Sequence, residues 1–213
     1  MNDDRVDQTL AAHKLAVLGV VDIDMPDNAR ALALIGPGPG FWPHFAQSPE
    51  FHDGDPDPMD RWSTRVLSTC ADRLSAKAYF PFGGPPYHPF YSWALASGTV
   101  WASPIAFLVH EKLGLFVSFR GALAFQTPLE TPPDATSPCP SCAQPCKTAC
   151  PVSALTPSGY DVAACKAYLD TPDGQDCRTQ GCRVRRACPV GQGLRDPVQS
   201  AFHMQAFAPV GAE

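Results

Sequence analysis

Positive charge is scarce in this chain. Against 21 Asp and Glu stand only 16 Lys and Arg, a formal net charge of −5. A protein whose main work is gripping nucleic-acid phosphates is normally basic, so that role is disfavoured. A long hydrophobic run is also missing. Residues 78–110 contain no Asp, Glu, Lys or Arg, but Pro81, Pro85, Pro86, Pro89 and Pro104 interrupt them. The longest Pro-free piece, residues 90–103, falls short of the roughly 20 residues a spanning helix needs, and it reads as buried soluble core. The opening Met1-Asn2-Asp3-Asp4-Arg5 is acidic with no apolar stretch behind it. No export signal is visible, and a cytoplasmic protein without a membrane segment is expected. No two histidines stand at metal-ligand spacing, and no repeat of 20 to 50 residues is present.

Proline and cysteine, by contrast, are abundant. The 24 Pro are about twice the usual share and predict a loop-rich path with limited helix. Residues 1–126 read as an α+β domain. Helical spacing places Val6 and Leu10 on one side of residues 6–15, and residues 16–23 and 31–35 have strand character. Residues 36–43 (Gly-Pro-Gly-Pro-Gly-Phe-Trp-Pro) read as a turn cluster without regular structure. An acidic loop with Asp53, Asp55, Asp57 and Asp60 alternates like a calcium loop but lacks its glycine and terminal glutamate, so it reads as solvated. Residues 58–76 form an amphipathic helix with Trp62, Val66, Leu67, Cys70 and Leu74 inward and Pro58 in the first turn. Residues 77–82 suggest a strand, and residues 90–96 a helix stopped at Gly98. Residues 105–110 and 115–125 look like a strand pair turning at Lys112-Leu113-Gly114, with alternation in the second strand. Residues 127–138 are a Pro-rich linker. Residues 139–213 form a second domain whose tail, 194–208, closes it as a helix.

Eight of the nine cysteines lie between Cys139 and Cys188, where only Val152, Leu155, Val162, Leu169 and Val184 represent Leu, Ile, Val and Phe. So few apolar residues cannot build a core, and segments this small need staples. The first group, Cys139, Cys142, Cys146 and Cys150-Pro151, has the form C-x2-C-x3-C-x3-C-P, one residue longer than the bacterial ferredoxin run. The second is Cys165, Cys177, Cys182 and Cys188-Pro189, and its Ala-Cys-Pro-Val ending repeats that of the first. In two-cluster ferredoxins the fourth, Pro-followed cysteine serves the other cluster. By that rule one [4Fe-4S] cluster takes Cys139, Cys142, Cys146 and Cys188, and the other takes Cys150, Cys165, Cys177 and Cys182. Two other readings use the same thiols: a pair of four-cysteine zinc sites with a purely structural role, and disulfides, which the missing export signal disfavours. Cys70, on the apolar face of its helix, reads as a buried structural thiol.

The cysteine-rich third resembles the double-cluster domain of epoxyqueuosine reductase and of corrinoid-dependent reductive dehalogenases, including the Cys165-Lys-Ala-Tyr168-Leu169 step. Upstream, Ser103-Pro-Ile-Ala-Phe-Leu-Val-His110 through Arg120-Gly121 resembles the segment preceding the clusters in epoxyqueuosine reductase. It is also similar to the corresponding part of the cobalamin-processing protein that removes upper ligands from the corrinoid, and Asp57-Pro58-Met59-Asp60-Arg61 has a weaker likeness to that protein. The resemblance implies a nitroreductase-like α+β domain holding a cobalamin-type cofactor, followed by a ferredoxin-like two-cluster module. It further implies a redox donor protein as partner. The gaps Cys142–Cys146, Cys177–Cys182 and Cys182–Cys188 are longer than the family's. Where epoxyqueuosine reductase carries an acidic residue ahead of a proline, this chain has Pro81-Phe-Gly83-Gly84-Pro85-Pro86. Together with the acidic charge, this argues against tRNA as partner and against that enzyme's own reaction.

The expected function is an iron–sulfur redox protein passing electrons through two [4Fe-4S] clusters to a corrinoid-type acceptor, a reductase-like oxidoreductase if it is an enzyme. The alternatives are an electron carrier or corrinoid-handling protein with no reaction of its own, and the structural zinc protein. Phe41 and Trp42 follow the glycine-rich turn. Trp93 and Trp101 belong to an aromatic belt suited to a large flat ligand. With His110 and Arg120 from the segment carrying the resemblance, these four are the candidate cofactor-binding residues. His88 is a further possible ligand or proton donor. Arg183, Arg185 and Arg186 read as a solvated basic face; beside a cluster their charge would raise its potential.

Overall fold

The structure, a computed structural model, describes residues 3–23, 28–131 and 135–208. The N-terminal part runs α1 (Asp3–Ala11), β1 (Leu15–Asp22), β2 (Ala31–Pro37), α2 (Phe41–Phe45), α3 (Pro49–His52), α4 (Pro58–Leu74), β3 (Lys77–Tyr79) and α5 (Phe90–Ala96). Then come β4 (Val100–Ala102), β5 (Leu108–His110) and β6 (Gly121–Phe125). The cysteine-rich part adds β7 (Leu155–Thr156), β8 (Gly159–Tyr160), α6 (Val162–Leu169), α7 (Gln175–Gln180), α8 (Arg183–Ala187) and α9 (Pro197–Phe207). The protein is thus a mixed α+β molecule with small antiparallel sheets. No described helix is long and apolar enough to cross a membrane.

The chain divides into two compact units: Met1–Val100 with Ser118–Ala135, and Trp101–Val117 with Thr136–Glu213. Residues 101–117, read from the sequence as part of the first domain, therefore belong with the cysteines. Residues 132–134 of the expected linker lie outside the described residues.

The first unit is built on a sheet of order β1-β2-β6-β3. Its inner strands β2 and β6 are buried along their length, the pattern of strands covered on both faces. Helix α4 packs on β3 and β6, burying Trp62, Val66, Leu67, Cys70 and Leu74 to 2% exposure or less. Each such aliphatic side chain contributes about 1.5–3 kcal/mol. The periodicity that predicts this face, and the Val6 and Leu10 face of α1, corresponds to what is buried. At the other edge the register slips between Val17 and Gly19, and the Thr99 hydroxyl donates to the Leu18 carbonyl at 2.8 Å.

Three local expectations need correction. Residues 36–43 are not merely a turn: β2 extends through Pro37, and α2 starts after Gly40, which takes the left-handed φ of 75°. Pro43 fits there because the first turn of a helix has no use for its amide donors. The expected 105–110 and 115–125 strand pair is a single bridge, His110 to Gly114. Only residues 121–125 are strand, and they pair with β2 and β3, while β5 pairs with β4. Leu115 and Val117 are instead buried outside any strand. The strand at residue 77 ends at Tyr79.

In the second unit, Ile105, Val109 and Leu115 form a core with Leu155, Val184, Cys146 and Cys188. A smaller cluster joins Leu169, Cys177 and Ala208, with Met204 and Phe207 of α9 packed against it. The apolar deficit of residues 139–188 is thus met in part by chain from outside that stretch. The borrowed segment docks through two turns. Gly114 has a φ of 57°, and a β-carbon on it would lie 2.4 Å from the Val190 carbonyl oxygen and 2.9 Å from Cys188 Sγ. Gly191 has a φ of 75°, and a β-carbon on it would lie 2.6 Å from the Leu113 carbonyl oxygen. Only glycine combines that backbone with that lack of space.

Candidate metal centre

The eight cysteines sit on short, irregular elements. Cys139 and Cys142 lie in a turn closed by the Cys142 amide on the Cys139 carbonyl, and the Gln144 N–H donates to Cys142 Sγ at 3.3 Å. Cys146 is buried in a single 3-10 turn, Pro145–Lys147. Cys150 Sγ accepts the Ala154 N–H at 3.2 Å. Cys165 is on α6 and Cys177 on α7, while Cys182 and Cys188 flank α8 at its two ends. Such N–H donors aimed at sulfur are what a metal-bound thiolate uses.

Mutual electrostatics sorts these sulfurs into two sets. Burial pushes the Cys139 thiol above its ordinary value, and neighbouring Cys146, Cys188 and Cys142 push it further. Cys146 is raised by burial, then by Cys188 and Cys142. Burial likewise raises Cys165, whose sulfur neighbours are Cys182, Cys150 and Cys177, and Cys177, which feels Cys182. Cys188 therefore falls with the first three cysteines, and Cys150 with Cys165, Cys177 and Cys182. The five-residue α8 spans from one set to the other; at ~1.5 Å per residue, Cys182 and Cys188 are about 9 Å apart along its axis.

Cys150, Cys165, Cys177 and Cys182 line one small, partly open hollow whose other walls include Leu155, Leu169, Val184 and Met204. No three His, Cys, Asp or Glu side chains converge on a single-ion position among the described residues. None of the nine cysteines is bridged. Gathering thiolates in an apolar setting is unfavourable without a compensating cation, which inverts that balance. The donor set is all thiolate, soft and suited to iron–sulfur or zinc.

The arginines near the sulfurs differ from the expected solvated face. Asp176 pairs with both Arg183, at 2.6 Å, and Arg186, and these two contacts tie α7 to α8. Arg185 turns inward: Nη1 donates to the Leu115 carbonyl at 2.5 Å and the guanidinium lies 5.0 Å from the centre of the Phe107 ring. Burial raises the Cys165 thiol and the neighbouring Tyr160 hydroxyl pulls it back; the Tyr160 ring stands edge-on to Phe107 and is stacked on Phe207. Sequence reading missed Tyr160. Nothing in its spacing marks it, because it approaches Cys165 from the hairpin β7–β8.

The six candidate cofactor-binding residues are not gathered together. Phe41 and Trp42 are buried in a cluster of rings with Phe45, Phe51 and Trp62. Trp93 packs against Phe90, Tyr79 and His88. Arg120 is buried, donating through Nε to Ser63 Oγ at 3.0 Å and pairing with Asp60. Trp101 and His110 lie in the other unit. His110 Nδ1 accepts the amides of Lys112 and Leu113 at 3.0 and 3.2 Å, so it braces the 110–114 turn. The acidic loop is organised by Arg61, which bonds both Asp53 oxygens at 2.7 Å and the carbonyls of Asp55 and Pro56. Comparison with protein-family models, with curated proteins and with solved structures finds no match.

Proposed function

We propose that this chain is an iron–sulfur electron-transfer protein holding two [4Fe-4S] clusters, one on Cys139, Cys142, Cys146 and Cys188 and one on Cys150, Cys165, Cys177 and Cys182. The observation that carries the proposal is the crossed grouping of the thiols. The Pro-followed cysteine of each run keeps company with the three leading cysteines of the other, as two-cluster ferredoxins require. A bound cluster supplies reversible one-electron storage. The chain's own part is to hold the thiolates, exclude water with Ile105, Leu115, Leu155 and Val184, and aim the Gln144 and Ala154 amides at sulfur.

The structural alternative, two four-cysteine zinc sites, uses the same eight thiols, and metal analysis separates the two readings. The acceptor proposed is a corrinoid-type cofactor, on the resemblance alone, and the donor a low-potential one-electron carrier protein. The test is anaerobic purification with iron and acid-labile sulfide analysis, then titration of the reduced protein with hydroxocobalamin. About eight iron and eight sulfide per chain support the reading, two clusters holding four of each. Zinc in place of iron refutes it. Oxidation by cobalamin supports the corrinoid acceptor, and no oxidation leaves a carrier for another acceptor.

A further inference from the structure

We propose that helix α9 is the lid of the hollow lined by Cys150, Cys165, Cys177 and Cys182: it closes over a cluster seated there and sets how fast that cluster's iron can leave. This rests on the two-cluster reading and adds a gate to it.

The first support is position. Met204 of α9 forms part of the wall of the hollow that the four cysteines line. Met204 and Phe207 also pack against the cluster of Leu169, Cys177 and Ala208. The helix carries no cysteine, so it covers the site without ligating it. Every cysteine precedes it in the chain, the last being Cys188, so all the ligands can be in place before α9 docks.

The second support is how α9 is held. None of its residues is buried, and Val198 is 61% exposed. A helix draws most of its stability from a buried apolar face, and one of only 11 residues is marginal without it. Its attachments lie toward its two ends. Near the start, Arg195 Nη2 donates to the Gln180 carbonyl at 2.5 Å. Ser200 sits so close to Gly181 that a β-carbon there would lie 2.6 Å from Ser200 Cβ. At the far end, Arg178 Nη1 donates to the Ala208 carbonyl at 2.5 Å. The Phe207 ring stacks on Tyr160 there, with Lys166 Nζ 5.3 Å from its centre. An element held by a few clasps opens at lower free energy than the core it covers. A cluster seated against Met204 adds contact to the closed lid, so each holds the other in place.

The test is iron release from the anaerobically prepared, iron-loaded full chain to the chelator bathophenanthroline disulfonate. Met204→Ala and Phe207→Ala change the lid and leave every cysteine-bearing element intact. In each, about half of the iron, that of one cluster, should leave faster than in the wild type. The acceleration should be about tenfold or more, because truncating a packed side chain raises the open population by that order. The other half should leave at the wild-type rate. In a Cys150→Ala background the same lid substitutions should not change the release of the remaining iron. Wild-type rates in both lid variants overturn the inference alone, as does faster release of all the iron together or an acceleration that survives Cys150→Ala. Amide hydrogen exchange of the iron-loaded wild type decides the matter if the variants do not load iron. The amides of α9 should exchange as one group, about tenfold faster or more than those of α6 and α7; equal exchange makes the three helices one inseparable unit and overturns the lid. An iron-free wild-type protein overturns it together with the reading beneath it.

Discussion

Substituting Gly114 by alanine probes whether residues 101–117 belong to the cysteine-rich unit. The residue holds a φ of 57°, which costs a β-carbon-bearing residue about 1–2 kcal/mol. The new β-carbon would also stand 2.4 Å from the Val190 carbonyl oxygen. That neighbour is backbone and cannot swing aside, so overpacking adds about 1–3 kcal/mol. Together the expected loss is about 2–5 kcal/mol, a large fraction of the 5–15 kcal/mol typical of a domain. For a unit of this size each kcal/mol lowers Tm by roughly 4–8 °C, so thermal unfolding should move down by about 10 °C or more. Because Cys188 Sγ is 2.9 Å from the same point, iron bound by the first set should fall while the second set keeps its share. The assays are thermal unfolding by circular dichroism and iron per chain. An unchanged Tm with full iron content would refute the docking of the 110–114 turn against Cys188–Gly191.

Cys150→Ala should remove about half of the iron, namely that of the set containing Cys165, Cys177 and Cys182; iron analysis of Cys150→Ala beside Cys146→Ala distinguishes crossed from sequential ligation. Arg178, 6% exposed, donates to the carbonyls of Leu169 and Ala208 and pairs with Asp170 at 2.7 Å. Arg178→Met leaves two acceptors without a donor at about 1–3 kcal/mol each and should release α9 to limited proteolysis; uncleaved α9 at wild-type Tm would contradict this. The Arg65 hydrogen bond holds the Glu50 carboxyl below its ordinary range. Its stabilisation is complete above about pH 4.3 and is lost as pH falls through the lowered value. Glu50→Gln should therefore be less stable than wild type in urea at neutral pH and indistinguishable from it near pH 3.

The helices were legible because their faces are local. Val6 and Leu10, and the run from Trp62 to Leu74, repeat at helical spacing and need no knowledge of what covers them. The closing helix, read over residues 194–208, starts at Pro197, and the structure shows the Asp196 carboxylate accepting the Val198 and Gln199 amides there. The number of thiols, their two runs and the two Cys-Pro endings were readable for the same reason. The extent of β6 was not. Residues 115–120 alternate like a strand, but a strand needs a partner, and Leu115 is taken up by the core around Cys146 and Cys188.

The sequence by itself determined the chemistry available: eight clustered thiols, an acidic surface and too few aliphatic residues around them to make a core alone. The tertiary structure decided which chain supplies the missing apolar wall, which sulfurs face one another, and which arginine turns inward. Those choices depend on contacts between residues far apart along the chain. Ile105 against Val184, Gly114 against Val190, and Arg185 against Leu115 and Phe107 leave no periodic trace in either partner's own segment. The same holds for the aromatic candidates: Phe41, Trp42 and Trp93 have a composition that suits a ligand wall or a core, and only packing shows them spent on the core.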